Sequence, residues 1–262
     1  MTDFRRDRAG RPIVLLPDGS EATYERASKL GSLLEDRFFL ERWSTRMLLR
    51  GVIVSDHVAR LLSLTDPSDD QALDRIARRA RDEAGAGDAA DVGTAVHRLL
   101  ELLDTDAITL DEVDPRHHRL VEVYRSTLEE AGLRPVDAEV LTITDEWRTA
   151  GSADRIFERP DGSRVIGDLK TGARLYSRSL SIPVQIATYA SGLRYDPTTG
   201  RRSEIPDLDR SVGLVIHLPA GASTPTCDLW SVDVEATIPL CRLADGVRRA
   251  RDADDLLRRL SA

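Results

Sequence analysis

Near the middle of the chain, two strand-like runs flank a strong turn. Asp154-Arg155-Ile156-Phe157 and Arg164-Val165-Ile166-Gly167 are separated by Pro160-Asp161-Gly162-Ser163. Turn residues between β-prone runs predict a hairpin. The hairpin commits this region to an antiparallel pair, around which the rest of the chain must arrange itself. It also fixes chemistry. Asp154 and Asp168 fall on adjacent strands. Asp168 and Lys170, two residues apart, leave the same face of theirs.

Helical patterns lie on both sides. Tyr24 to Arg50 repeats apolar residues at helical spacing through Leu30, Leu33, Leu34, Phe38, Leu40, Trp43, Met47 and Leu48, with a break near Gly31. Asp56–Leu64 and the segment from Asp69 to about Glu83 read as two more helices, and Gly85-Ala86-Gly87-Asp88 as a connector. Asp91 reads as an N-cap for a helix through Leu103, and Asp114-Pro115 opens a helix ending at Gly132. Strands are expected over Glu139–Glu146, Arg148–Phe157 and Arg164–Lys170. A helix containing Pro183 in its first turn follows, then a long polar loop from Asp196 to Arg210 and a hairpin of Ser211–Leu218 with Cys227–Val234. A final helix carries Arg248, Arg249 and Arg251. The expected class is α/β, a mixed sheet flanked by helices. A helical region, residues 1–88, would pack on a core domain, residues 89–262.

The lysine narrows the chemistry. Only Lys29 and Lys170 are lysines among 37 basic residues. A chain that otherwise uses arginine keeps an ammonium beside Asp168. An ammonium is a compact charge that can hold a water; a guanidinium is a broad fork. Two carboxylates on neighbouring strands form a hard-oxygen site suited to Mg²⁺ or Mn²⁺, with the Leu169 carbonyl as a further donor. The same spacing also suits a solvated hairpin with an i,i+2 charge pair. Gly93 and His97 share one helical face, as do Gln185 and Tyr189. Taken singly, these pairs are compatible with ordinary helix packing or helix surface.

The ordered set Gly-x-x-x-His, Glu139, Gly-x-x-Asp, Asp-x-Lys-Thr-Gly and Gln-x-x-x-Tyr resembles the RecB-type branch of the PD-(D/E)xK nuclease superfamily. It is most similar to stand-alone RecB-like exonucleases of actinobacterial phages, over about residues 91–195. The resemblance implies a PD-(D/E)xK nuclease core and a metal-dependent DNA exonuclease. His97, Asp154, Asp168 and the carbonyl of Leu169 would hold Mg²⁺ or Mn²⁺. Lys170 would position the attacking water. Glu139 would join as a supporting or second-metal carboxylate. Gln185 and Tyr189 would orient the nucleic-acid backbone. Arg174 and Arg178, directly after the lysine motif, are candidate backbone contacts.

Related branches carry four cysteines around an iron–sulfur cluster. Here there are only Cys227 and Cys241, so no cluster is expected, and both thiols read as buried. His57, His117, His118 and His217 read as structural or surface residues, and Trp43 and Trp230 as packing residues. The net charge of −8 disfavours a large DNA-wrapping surface but permits a local basic groove. Arg42, Arg46 and Arg50, and Arg78, Arg79 and Arg81, are candidates. The expected partner is DNA, as duplex ends or a single strand, with a helicase or recombination protein as a further partner. No apolar run approaches a membrane span, so a cytoplasmic location is expected. Two other readings use the same residues: a structure-selective or restriction-like endonuclease, and a non-catalytic DNA-binding partner of a helicase.

Overall fold

The computed structural model describes residues 3–175 and 179–253, with the side chains of Phe39 and Ala89 left out. The elements in chain order are β1 (Ile13–Leu15), β2 (Glu21–Thr23), β3 (Glu25–Arg26), α1 (Ala27–Ser32), α2 (Phe38–Val54), α3 (Asp56–Ser63), α4 (Asp70–Glu83), α5 (Asp88–Asp104), α6 (Pro115–Glu130), β4 (Arg134–Thr144), β5 (Thr149–Glu158) and β6 (Arg164–Lys170). Then come α7 (Ser181–Ser191), β7 (Leu193–Tyr195), β8 (Arg202–Ser203), β9 (Leu208–His217), β10 (Asp228–Asp233) and α8 (Val234–Arg251). Two compact units result. One joins residues 1–35 to residues 97–262, and the other spans residues 36–96.

The larger unit is α/β. Its main sheet runs β10-β9-β6-β5-β4-β7-β8, with β3 pairing β5 in parallel. The expected hairpin is β5–β6, antiparallel in the register Arg155↔Gly167 and Ile156↔Ile166. Its turn closes because Gly162 adopts φ +84° and the Asp161 carboxylate accepts from Ser163 N and Oγ at 2.9 and 2.7 Å. β9 lies parallel to β6, so α7 is part of a crossover between them, and β9–β10 form the expected final hairpin.

Helix α7 lies between layers. Val184, Ala187 and Ala190 pack with Leu30 of α1 and Val234, Cys241 and Ala244 of α8. Ile186 packs on Val215 and Val232 of the sheet, and Tyr189 joins Val140, Ala153, Ile156 and Ile166. A helix apolar on most of its circumference is a buried helix. Its ends are also tied. Glu35 accepts from Ser181 N at 2.8 Å and from Ser179 Oγ, while Arg210 donates to the Ala190 and Gly192 carbonyls at 2.7 and 3.0 Å. Helix α6 starts and stops as its sequence dictates. Asp114 accepts from Arg116 N at 2.9 Å, and Gly132, at φ +65°, turns the chain so that Leu133 N reaches Leu128 O at 2.8 Å.

In the smaller unit, α2 and α4 approach closely at Gly51, where a Cβ would sit 1.7 Å from Ala80 O. Asp69 caps α4 and Ser55 caps α3. Arg42, Arg46, Arg50, Arg78 and Arg79 are exposed and Arg81 half-buried. Among the described residues no helix is long and apolar enough to cross a membrane.

Several expectations on element and unit boundaries change. Residues 1–35 belong with the sheet rather than with a helical region ending at 88, because β3 pairs β5 and Leu30 enters the core. The helical pattern from Tyr24 is interrupted by Leu33–Arg37, between α1 and α2. Helix α5 begins at Asp88, which puts Asp91 in its first turn rather than at its cap. Strand β4 starts earlier than expected, at Arg134, and the polar loop from Asp196 contains β8 and the start of β9. Trp43 and Trp230 are each more than two-fifths exposed, whereas Trp147 is in the core. Cys241 is buried and Cys227 only half-buried; burial pushes both thiols up to about 11.

Candidate active site

Four elements bring the sequence-derived residues together: α5, β5, β6 and α7. Asp168 is 2% exposed, and its Oδ1 accepts from Gln185 Nε2 at 2.9 Å. Its Oδ2 is buried without a hydrogen-bond partner, although Lys170 Nζ stands 2.5 Å away as an ion pair. The ammonium is close but lies outside hydrogen-bonding angles. Lys170 Nζ instead donates to Gln185 Oε1 at 3.2 Å.

Asp154 faces this pair from β5. Its Oδ2 accepts from Leu169 N at 2.7 Å and lies 3.5 Å from His97 Nδ1. Burial, then the neighbouring Asp168 charge, raises the Asp154 carboxyl well above the usual range; the Leu169 amide and Lys170 act in the other direction. Glu139 adds a further negative charge that also raises Asp154. Glu139 sits on β4 between the paired residues Ala138↔Arg155 and Val140↔Ala153, opposite Asp154. Its backbone is in the left-handed region, φ +50°, and its carboxylate accepts from Ser152 Oγ at 2.6 Å. A non-glycine residue in that conformation costs about 1–3 kcal/mol and needs support from its surroundings.

His97 is about one-third exposed. Burial lowers its pKa below the ordinary value; the Asp168 charge and a hydrogen bond with the Leu169 backbone oppose that. A neutral imidazole can offer a nitrogen lone pair. Tyr189 is 4% exposed, and its hydroxyl accepts from Gln185 Nε2 at 3.1 Å. Burial first, then Asp168, raises its phenol above the usual value. Gly151 explains why the Gly-x-x-Asp motif needs glycine here: a Cβ would lie 2.9 Å from Tyr189 Cε1. Two motifs far apart in sequence are thus one contact.

The donor set fits a divalent cation. Asp154, Asp168 and Glu139 share the Lys170 ammonium, while the neighbouring Arg155 guanidinium is paired with Asp104, so carboxylates outnumber cations at the locus. Asp168 Oδ2 is buried with the Lys170 ammonium as its charge partner, and the His97 imidazole lies 3.5 Å from Asp154 Oδ2. Oxygen donors with one imidazole suit Mg²⁺ or Mn²⁺. Among the described residues no three His, Cys, Asp or Glu side chains already converge as a metal cage; Lys170 stands beside Asp168 Oδ2 instead.

No protein-family model matches this chain, and no curated protein does either. The site therefore rests on its own geometry and on the motif order.

Arg174 is exposed and joins none of these bonds, and Arg178 lies outside the described residues. His217 is buried, with Nε2 2.8 Å from Gly172 O, and so secures the backbone just after Lys170. His118 binds the Val113 carbonyl at 2.9 Å, and His57 and His117 are exposed. Sequence reasoning missed Ser152, Glu35 and the buried group Asp104, Tyr124 and Arg155. For Arg155 a signal existed: a cation inside an otherwise β-prone run, next to Asp154. Glu35 and Asp104 carry no local signal, since their partners are 144 and 51 residues away.

Proposed function

We propose that the protein is a metal-dependent deoxyribonuclease that hydrolyses phosphodiester bonds from DNA ends. The observation that carries the hydrolase reading is the buried Asp168 carboxylate beside Asp154, with Lys170 Nζ 2.5 Å from its Oδ2 as an ion pair. His97, Asp154, Asp168 and the Leu169 carbonyl would hold Mg²⁺ or Mn²⁺. A bound ion of this kind supplies activation of water at neutral pH and charge neutralisation at a phosphate.

The chain's own residues supply the rest. Lys170, oriented by Gln185, offers a point charge that can hold an attacking water and stabilise negative charge at the phosphate. Gln185 links Asp168, Lys170 and Tyr189, so it fixes the direction of both charged groups. Direct hydrolysis agrees with a site whose motif residues include no activated Ser, Cys or Tyr; the phenol of Tyr189 is held protonated by burial and by Asp168. The preference for ends comes from the resemblance to RecB-like exonucleases.

Digestion of linear duplex DNA labelled at the 5′ or 3′ end, beside a covalently closed circle, tests the reading in Mg²⁺ and Mn²⁺. Stepwise loss of label from the linear form alone is expected. Cleavage of the circle would make it an endonuclease. Metal-dependent cleavage of neither form would leave a DNA-binding partner without catalysis.

A further inference from the structure

Beside the site lies a buried ionic group that it does not use. Asp104, at the end of α5, and Arg155, on β5, are 6% and 3% exposed and paired at 2.6 Å through Nε and Oδ2. The Tyr124 hydroxyl donates to the same Asp104 oxygen at 2.8 Å. Arg155 Nη1 donates to the Asp154 carbonyl at 2.7 Å, and Nη2 is buried without a partner. Stability alone does not account for this arrangement. Two charges taken from water are rarely repaid by their attraction, and apolar replacements of similar volume are often as stable.

Its position suggests another role. His97 and Asp104 are seven residues apart on α5, almost two full turns, and so lie on one helix face. That face meets consecutive residues of β5: His97 reaches Asp154, and Asp104 reaches Arg155. Leu100, fully buried, lies between them. Arg155 in turn grips the Asp154 backbone. Two rigid elements joined at two points have their relative rotation and sliding fixed. With Asp104–Arg155 removed, apolar packing alone would set the height of His97 over Asp154 and Leu169.

We infer that Asp104, Arg155 and Tyr124 form a positioning network that registers α5 on β5 and thereby sets His97 for divalent-metal binding. The inference rests on the metal reading above. It assigns no contact with substrate to these three residues.

The test removes the whole network at once, because removing one partner would leave a buried charge. The variant Asp104→Leu, Tyr124→Phe, Arg155→Met keeps volume and removes both buried charges together, along with the donor to the Asp154 carbonyl. It is compared with wild type by thermal unfolding, by Mn²⁺ titration calorimetry, and by NOEs between the His97 ring and Leu169 in metal-free protein. We expect a folded variant with weakened NOEs. Its Mn²⁺ dissociation constant should rise about 10-fold or more, the scale for loss of groups that orient a ligand. In a His97→Ala background the same three changes should cost no further affinity, since the network acts through His97.

Unchanged NOEs and affinity in the folded variant would overturn the inference, as would an equal loss in the His97→Ala background. Should the triple variant fail to fold, Arg155→Lys serves: it keeps the charge but cannot span Asp104 and the Asp154 carbonyl together, so weakened NOEs are expected and intact ones overturn the idea. Wild-type protein that binds no Mn²⁺ would sink the metal reading, while the NOEs in metal-free protein still decide the positioning role.

Discussion

Lys170 occupies a narrow place, 2.5 Å from Asp168 Oδ2 and 3.2 Å from Gln185 Oε1. Arginine at this position would keep the charge but spread it over a planar fork that neither partner accommodates. Lys170→Arg should therefore lower turnover by roughly 10²-fold, the scale for one lost preorganised electrostatic contact, with Mn²⁺ and DNA binding nearly unchanged. Wild-type cleavage by this variant would leave Lys170 as a structural charge partner of the buried Asp168, with no part in turnover. Asp154→Asn and Asp168→Asn each remove a charge and a donor, and calorimetry should record greatly weakened Mn²⁺ binding in both. The candidate set from His97 to Tyr189 was legible because each residue sits in a short motif. The bond from Leu169 N to Asp154, and the burial of Asp168 beside Lys170, were not, since both depend on how two strands and a helix meet.

At the scale of elements, the β5–β6 hairpin and α7 make one unit through Gly151. Adding a methyl group there places it 2.9 Å from Tyr189 Cε1 and 3.0 Å from its hydroxyl. Tyr189 cannot retreat easily, because it is packed among Val140, Ala153, Ile156 and Ile166. Gly151→Ala should cost about 1–3 kcal/mol, the usual range for overpacking, measured by denaturant unfolding. It should also lower activity beyond any loss from unfolding, because Gln185 would lose Tyr189 as a partner. A variant as stable and active as wild type would show that the ring shifts freely. Sequence patterns located the β5–β6 hairpin and the helix carrying Gln185 well. They erred where two patterns overlap: the helical repeat from Tyr24 ran through a strand, a short helix and a break, since apolar spacing alone does not say which layer a segment joins.

For the molecule as a whole, the crowding of carboxylates becomes a stability effect. Asp154 has an ordinary value of 3.8 when unfolded and a raised one when folded. Below 3.8 both states are protonated and the group costs nothing. As pH rises the unfolded state ionises first, so the native state binds more protons and stability falls until pH passes the folded value. Metal-free wild-type protein should thus lose melting temperature relative to Asp154→Asn on going from mild acid to neutral pH. Mn²⁺ should reverse the deficit in wild type only, since a ligand of the native state stabilises it by mass action. A difference between the two proteins that is flat with pH would mean that Asp154 ionises freely.

By itself, the sequence determined the local choices. Turn chemistry set the hairpin, Asp114-Pro115 and Gly132 set the ends of α6, and residue type limited the site to carboxylates, one imidazole and one ammonium. These depend on interactions within a few residues, which a linear pattern records. Tertiary structure alone decided the rest. It placed residues 1–35 with the sheet, laid β9 parallel to β6, buried Asp168, and set Asp104 against Arg155 across 51 residues. Burial and electrostatic strength depend on which segments exclude water from one another, and that is settled only when distant parts of the chain pack.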